Sequence, residues 1–265
     1  MVRVAVLTGH GINCEEETAF AFQRVGCRAD IVHVEDLIRN KSLLSQYQIL
    51  AFPGGFSYGD HTGSGKLYAN DLRDHLADQL REFVERDTLT IGICNGFQIM
   101  TLLGLAPALD NKYSEPQVAL MMNTRPRYHT RWVELLSGSD KCVFTRGIKS
   151  IELPVAHGEG QFYAPPEVLM RLQQSGQVAL RYSVNGVRAN GKLPHNPNGS
   201  LDDIAGICDS TGRVFGLMPH PERAIDQLHH PDWPRQHELL KRQGKDLPSE
   251  GAGMRVFRNA AEYFA

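Results

Sequence analysis

The stretch Thr90-Ile91-Gly92-Ile93-Cys94-Asn95-Gly96-Phe97-Gln98 decides how this chain is read. An apolar run arrives, Gly92 and Gly96 flank a cysteine two positions away on either side, and an apolar run at helical spacing departs. G-x-nucleophile-x-G is the spacing of a nucleophile elbow, in which small neighbours leave room for a sharp strand-to-helix turn. Such a turn lifts its side chain above the carboxyl edge of a sheet, where open α/β sheets bind ligands. It also sets Cys94 at a helix N-terminus, where the macrodipole favours an anion, and turns the Asn95 amide towards a developing oxyanion. A buried structural cysteine followed by an Asn-Gly turn explains the same letters about equally well.

Outward from the elbow, the first half alternates between strand and helix patterns. Strands are expected at Val2–Leu7, Ala29–Val34, Ile49–Phe52 and Thr88–Ile93. Helices are expected at Glu15–Val25, Tyr68–Arg86 and Phe97–Leu103. This alternation predicts an α/β fold: three layers, a mostly parallel open sheet with helices on both faces. The second half carries short strand candidates at Arg131–Leu135, Ile151–Ala156, Val178–Tyr182, Ile204–Asp209 and Val214–Leu217, separated by Gly, Asn, Asp and Pro turns. That texture predicts an antiparallel extension. Residues 1–265 read as a single domain, with a polar surface excursion at about 223–253 before a last helix near Met254–Phe264.

The bulk properties narrow the function classes. With 42% hydrophobic and 22% charged residues and a formal net charge of -2, the chain has no electrostatic case for binding nucleic acid or an anionic membrane. No apolar run is long enough to span a bilayer, and the start, Met1-Val2-Arg3-Val4, shows no signal-peptide pattern, so a cytoplasmic location is expected. The five cysteines, at 14, 27, 94, 142 and 208, show no CxxC or metal-finger spacing and read as free thiols. HExxH and the zinc-deaminase pattern are also missing, so no metal is expected.

Cys14 is the rival to Cys94, because it too follows a strand and opens a helix. Three carboxylates follow it, Glu15-Glu16-Glu17, and they oppose thiolate formation while suiting a first helical turn. Asn13-Cys14 therefore reads as structural capping. A cysteine nucleophile wants a histidine base held by an acceptor. Two His-x-Glu pairs qualify. His220 and Glu222 sit in Met218-Pro219-His220-Pro221-Glu222, where prolines favour an extended chain that points both side chains the same way. His157 and Glu159 sit in His157-Gly158-Glu159-Gly160, whose glycines suit a close approach to a ligand. Rigidity tilts the base modestly towards His220, and spacing alone leaves both open. Pro53-Gly54-Gly55 ends the third strand, and its backbone amides could complete an oxyanion hole, although a plain turn is the commoner meaning of such a loop.

Taken in order, Gly11-Ile-Asn-Cys-Glu15, Pro53-Gly-Gly-Phe-Ser-Tyr-Gly-Asp60, Gly92-Ile-Cys-Asn-Gly-Phe-Gln98, Ala156-His-Gly-Glu-Gly160, Asn198-Gly-Ser200 and Gly216-Leu-Met-Pro-His-Pro-Glu222 span most of the chain. Together they resemble the class I, triad-type glutamine amidotransferases. More narrowly they resemble the branch that supplies the glutaminase of phosphoribosylformylglycinamidine synthase in purine biosynthesis. The resemblance implies Cys94 as nucleophile, His220 as base and Glu222 as its orienter. It implies oxyanion amides from Gly55 and Asn95, and glutamine contacts from Gly54, Phe56, Gln98, His157, Gly158 and Glu159. It further implies a synthetase partner that uses ATP and magnesium, a small third subunit, and no cofactor in this chain itself. Residues 61–70 depart from the wording of that branch, the stretch 223–253 is longer than the branch leads one to expect, and both are candidates for a partner-facing surface. The alternatives are service to a different synthetase, a free-standing thiol hydrolase or peptidase of the same fold, or an idle binding subunit.

Overall fold

The computed structural model describes residues 1–265. Strands β1 (Arg3–Thr8), β2 (Arg28–His33), β3 (Ile49–Phe52) and β4 (Leu89–Ile93) alternate with helices α1 (Glu15–Arg24), α2 (Val34–Arg39), α3 (Lys66–Glu85) and α4 (Asn95–Leu102). The second half adds β5 (Ala119–Met122), β6 (His129–Ser137), β7 (Ser150–His157), β8 (Glu159–Tyr163) and α5 (Pro166–Gln174). It continues with β9 (Val178–Val184), β10 (Val187–Arg188), β11 (Ile204–Cys208), β12 (Val214–Leu217), α6 (Trp233–Arg242) and α7 (Met254–Glu262).

One sheet runs in the order β2-β1-β3-β4-β12-β11-β9-β6-β7, with β10 beside β9. From β2 to β12 the neighbours are parallel, and from β12 to β7 they are antiparallel. The expected antiparallel extension is therefore a continuation of the same sheet. The centre of its parallel part is fully enclosed: every residue of β3, β4 and β12 is buried. Continuous burial requires cover on both faces. Helix α1 packs on β1 and β2 and against α7, while α4 packs on β3 and β4 and against α3. Strand β7 instead alternates buried with half-buried or exposed positions, as an antiparallel strand with one wet face does.

The crossover order matters for chemistry. Strand β12 returns from the far end of the sequence to lie parallel with β4, with Leu217 opposite Ile93. Both strands end at the same carboxyl edge, so Cys94 and the segment Met218-Pro219-His220 emerge side by side. A neighbouring hydrogen bond, Cys94 N–H to the Leu217 carbonyl at 2.8 Å, ties the two ends together.

The sequence did not announce several elements. Helix α6 lies inside the polar stretch 223–253 and fully buries none of its residues; only Trp233, Gln236 and Leu240 along one face are half-buried, too sparse a stripe to reveal it. Helix α5 buries only Leu172, and β8 begins within His157-Gly158-Glu159-Gly160, where no strand was expected. Together β5 and β8 form a separate antiparallel pair that projects beside the elbow. No helix is long and apolar enough to cross a membrane.

Candidate active site

Cys94 adopts φ 52° and ψ -107°, a left-handed, strained conformation for a residue with a side chain. The two flanking glycines make it possible by packing. A Cβ on Gly96 would lie 1.8 Å from the Phe52 carbonyl oxygen, and one on Gly92 would lie 2.3 Å from Met100 Sδ. The elbow is thus pressed into β3 and α4 at a distance only hydrogen atoms allow. Cys94 remains 5% exposed, and its sulfur faces the Ala156 carbonyl at 3.8 Å.

His220 sits beyond β12, its amide donating to the Pro154 carbonyl of β7 at 2.8 Å. Its Nδ1 lies 2.5 Å from Glu222 Oε1, and both side chains are buried. Its Nε2 has no protein partner. The geometry differs in one respect from the extended Pro-His-Pro-Glu expected from sequence. His220 is extended, but Pro221–Arg223 form a short 3-10 turn, and the turn curls the carboxylate back under the ring. Burial works against a charged imidazole here, yet the Glu222 carboxylate, followed by Cys94 and Cys14, holds the His220 pKa well above its ordinary value.

The second His-x-Glu pair behaves differently. His157 ends β7 and Glu159 begins β8. The Glu159 carboxylate accepts from the Ser64 amide at 3.4 Å, while neither His157 ring nitrogen has a partner. Burial, reinforced by His220 and His129, lowers the His157 pKa to about 3, so this ring is neutral near pH 7. A base needs an acceptor to orient it, and only His220 has one. The two pairs, alike in sequence, are separated by which carboxylate folds back on its histidine.

A histidine held neutral binds fewer protons folded than unfolded. Its contribution to stability is full above about pH 6.5 and shrinks as pH falls towards 3, by up to ~1.4 kcal/mol per unit. His157→Gln is expected to reduce the stability loss between about pH 7.5 and 5.5 by about 1 kcal/mol relative to wild type in urea titrations. Equal losses in the two proteins would rule this reading out.

A cavity of about 110 Å³ opens over the elbow, lined by Gly55, Phe56, Asp60, Ser64, Cys94, Gln98, Tyr128, Ala156, His157, Gly158 and Glu159. Six of the residues that the resemblance singled out are in this wall besides Cys94: Gly55, Phe56, Gln98, His157, Gly158 and Glu159. Gln98 is fixed rather than free, donating to the Glu159 carbonyl at 2.9 Å and accepting from the Asn95 side chain at 2.9 Å. Gly54 lies behind the wall, against His220: a Cβ there would be 2.9 Å from His220 Cε1. Asn95 is likewise buried beneath the cavity, its side-chain oxygen accepting from the Ser57 amide at 3.2 Å. The amides of Gly55 and Asn95 take no part in the surrounding loop hydrogen bonds.

Asp60, Ser64 and Tyr128 also line the cavity and were not singled out. Asp60 stood within a quoted motif, and Ser64 lies in the departing stretch 61–70, whose start is thereby placed at the cavity mouth. Tyr128 sits in a loop with no motif at all, beside Phe56 at a ring separation of 6.1 Å. Burial, with the nearby Glu159 charge, raises the Asp60 pKa. Beyond Arg223 the excursion 223–253 lies elsewhere, walling a second cavity of about 340 Å³ with β6 and β7.

Cys14 corrects the sequence reading most clearly. Its backbone starts α1, but its side chain makes no capping hydrogen bond. The loop before α1 is laced to the Pro53-Gly54-Gly55 loop, with the Asn13 and Cys14 amides donating to the Gly54 carbonyl at 3.3 and 3.2 Å. This turns the Cys14 sulfur inward, beside His220 and Glu222.

Comparison with known proteins places this geometry. The model of the CobB/CobQ-like glutamine amidotransferase domain matches residues 1–264. The "Phosphoribosylformylglycinamidine synthase subunit PurQ" of Methanococcus maripaludis is 48% identical over 264 residues, spanning 99% of this chain and 97% of that protein. A protein of the same name from Dehalococcoides mccartyi is 39% identical over 263 residues, again 99% and 97%. Among solved structures, PurLQS from Thermotoga maritima includes a chain 30% identical, with a TM-score of 0.73 and coverage of 100% and 99%. A glutamine amidotransferase from the same organism, at 15% identity and a TM-score of 0.52, shares the fold.

Proposed function

Because the chain belongs to the CobB/CobQ-like glutamine amidotransferase family, we propose that it is the glutaminase subunit of a phosphoribosylformylglycinamidine synthase. One observation carries the chemistry. His220, backed by Glu222 at 2.5 Å, emerges beside a cysteine held at φ 52° on the neighbouring strand end.

The reaction follows from that arrangement. The Cys94 sulfur attacks the side-chain amide carbon of glutamine as His220 takes the thiol proton. The Gly55 and Asn95 amides face the oxyanion that forms. His220 then passes its proton to the departing nitrogen, so ammonia leaves and a γ-glutamyl thioester remains on Cys94. Water enters, His220 removes its proton, and the sulfur leaves as glutamate is released. Glu222 stabilises the imidazolium in both half-reactions. The cavity wall of Phe56, Gln98, His157, Gly158 and Glu159 holds the substrate, with Gly54 buttressing the base from behind.

The ammonia is handed to a synthetase subunit, with a small third subunit completing the assembly; the Thermotoga maritima structure that includes a similar chain is of PurLQS. ATP and magnesium belong to that partner. The chain acts as one domain in the cytoplasm. Glutamate release is expected to be slow for the chain alone and to rise at least about tenfold with the synthetase and small subunits present. Strong unaided hydrolysis of glutamine-containing peptides would instead favour a free-standing peptidase.

A further inference from the structure

Outside the triad and the cavity wall, one buried nucleophilic group still touches the reacting machinery. Cys14 is fully buried, and its Sγ, an imidazole nitrogen of His220 and a Glu222 carboxylate oxygen all lie within 4.8 Å of one another. The Arg223 Nη2 donates to Cys14 Sγ at 2.9 Å, and Arg223 Nε approaches Glu222 Oε1 at 4.0 Å. The Cys14 thiol faces the Asn13 side-chain oxygen at 3.2 Å. Gly54 completes the packing: a Cβ there would meet His220 Cε1 at 2.9 Å and Cys14 Sγ at 3.1 Å. The sulfur, the imidazole and the bare Gly54 backbone fill one space with no room for a methyl group.

Three other roles for Cys14 fail on the same observations. It does not cap α1, since its side chain makes no capping bond. It is a poor reactive thiol, being inaccessible, and burial raises its pKa. It is a poor metal ligand despite the suggestive trio of Cys, His and Glu, because the Arg223 guanidinium already occupies the sulfur and repels a cation. What remains is contact and shape.

We propose that Cys14, braced by Arg223, is a positioning residue of the glutaminase reaction that packs against His220 and Glu222 and fixes the ring for Cys94. Arg223 ties the sulfur and the carboxylate into one unit, so the base is held from two sides: by a hydrogen bond at Nδ1 and by packing against a polarizable wall. A ring free to tilt would lose alignment with the thiol and with the departing nitrogen, and misplacement on the ångström scale is costly in rate. The sequence separation is large, 209 residues between Cys14 and Arg223. The contact therefore exists only because the β1 loop and the β12 loop meet at one sheet edge.

The inference rests on the glutaminase reading, and the experiment separates the two. Wild type, Cys14→Ala, Cys14→Ser and Arg223→Met are assayed with glutamine in the assembled synthase, alongside the ammonia-driven reaction of the same complexes. Cys14→Ala is expected to lower kcat for glutamine about tenfold to a hundredfold with KM within about twofold. Its pH–rate limb for the base should shift, and the ammonia-driven rate should stay at wild type. Cys14→Ser, which keeps an acceptor for Arg223 and most of the volume, should recover kcat to within about threefold of wild type. The double variant Cys14→Ala/Arg223→Met should lose less than the product of the single losses, since both act through one contact. A wild-type kcat and pH profile in Cys14→Ala overturn the inference, as does a loss that serine fails to restore. An inactive wild type, by contrast, overturns the function itself.

Discussion

Replacing Cys94 by serine is expected to abolish glutamine hydrolysis, lowering glutamate release at least about 10⁴-fold, the scale seen when a covalent nucleophile is removed. The substitution is nearly isosteric, so the strained elbow and its packing on Phe52 and Met100 should survive. What changes is the nucleophile. A hydroxyl is far less acidic than a thiol and forms a poorer leaving group, and nothing in the site was built to activate it. The partner's chemistry should be untouched, so the assembled complex should still turn over when given ammonium salt. Release of glutamate within tenfold of wild type, or loss of the ammonia-driven rate, would contradict the assignment. Unchanged denaturation midpoints would show that the fold is intact.

Glu222→Gln tests the orienter. The amide keeps the size of the side chain and loses its charge. Glu222 is the principal group that raises the His220 pKa against burial. Without it the imidazolium formed in both half-reactions loses its counter-charge, and kcat is expected to fall about 10³-fold or more. KM for glutamine should change little, because Glu222 lies outside the cavity wall. The sign of the pH effect follows: with the carboxylate gone, the limb due to His220 moves to lower pH. A limb that stays in place while kcat falls would mean that Glu222 acts only as packing. The corresponding change at the other pair, Glu159→Gln, should leave that limb where it is, since Glu159 makes no hydrogen bond with either histidine ring.

The alternation of strands and helices, the largely apolar central strands of the parallel block and the spacing of Gly92, Cys94 and Gly96 were all legible in the sequence. Each is a local rule: a buried strand must be apolar, and a tight turn needs small neighbours. The elbow was legible for the same reason, since its steric demand falls on residues two positions away. Elements with little local demand were not legible. Helix α6 fully buries no residue, so little was demanded of its pattern, and Tyr128 reaches the cavity from a loop whose letters carry no periodicity.

By itself, then, the chain's order of residues determined an α/β sheet with a thiol on its elbow and two His-x-Glu candidates, with only a modest tilt towards His220. The tertiary structure makes the two pairs unlike, through a 3-10 turn that folds Glu222 onto His220 while the Glu159 carboxylate accepts from the Ser64 amide. It also reversed the reading of Cys14. Local acidity made that thiol look like the start of a helix and nothing more, and the sheet order then brought it against His220 and Glu222. The physical reason is the same in both cases. Which polar groups share a buried space is set by where strands end at one sheet edge, and strand order is decided by packing between segments far apart in the chain.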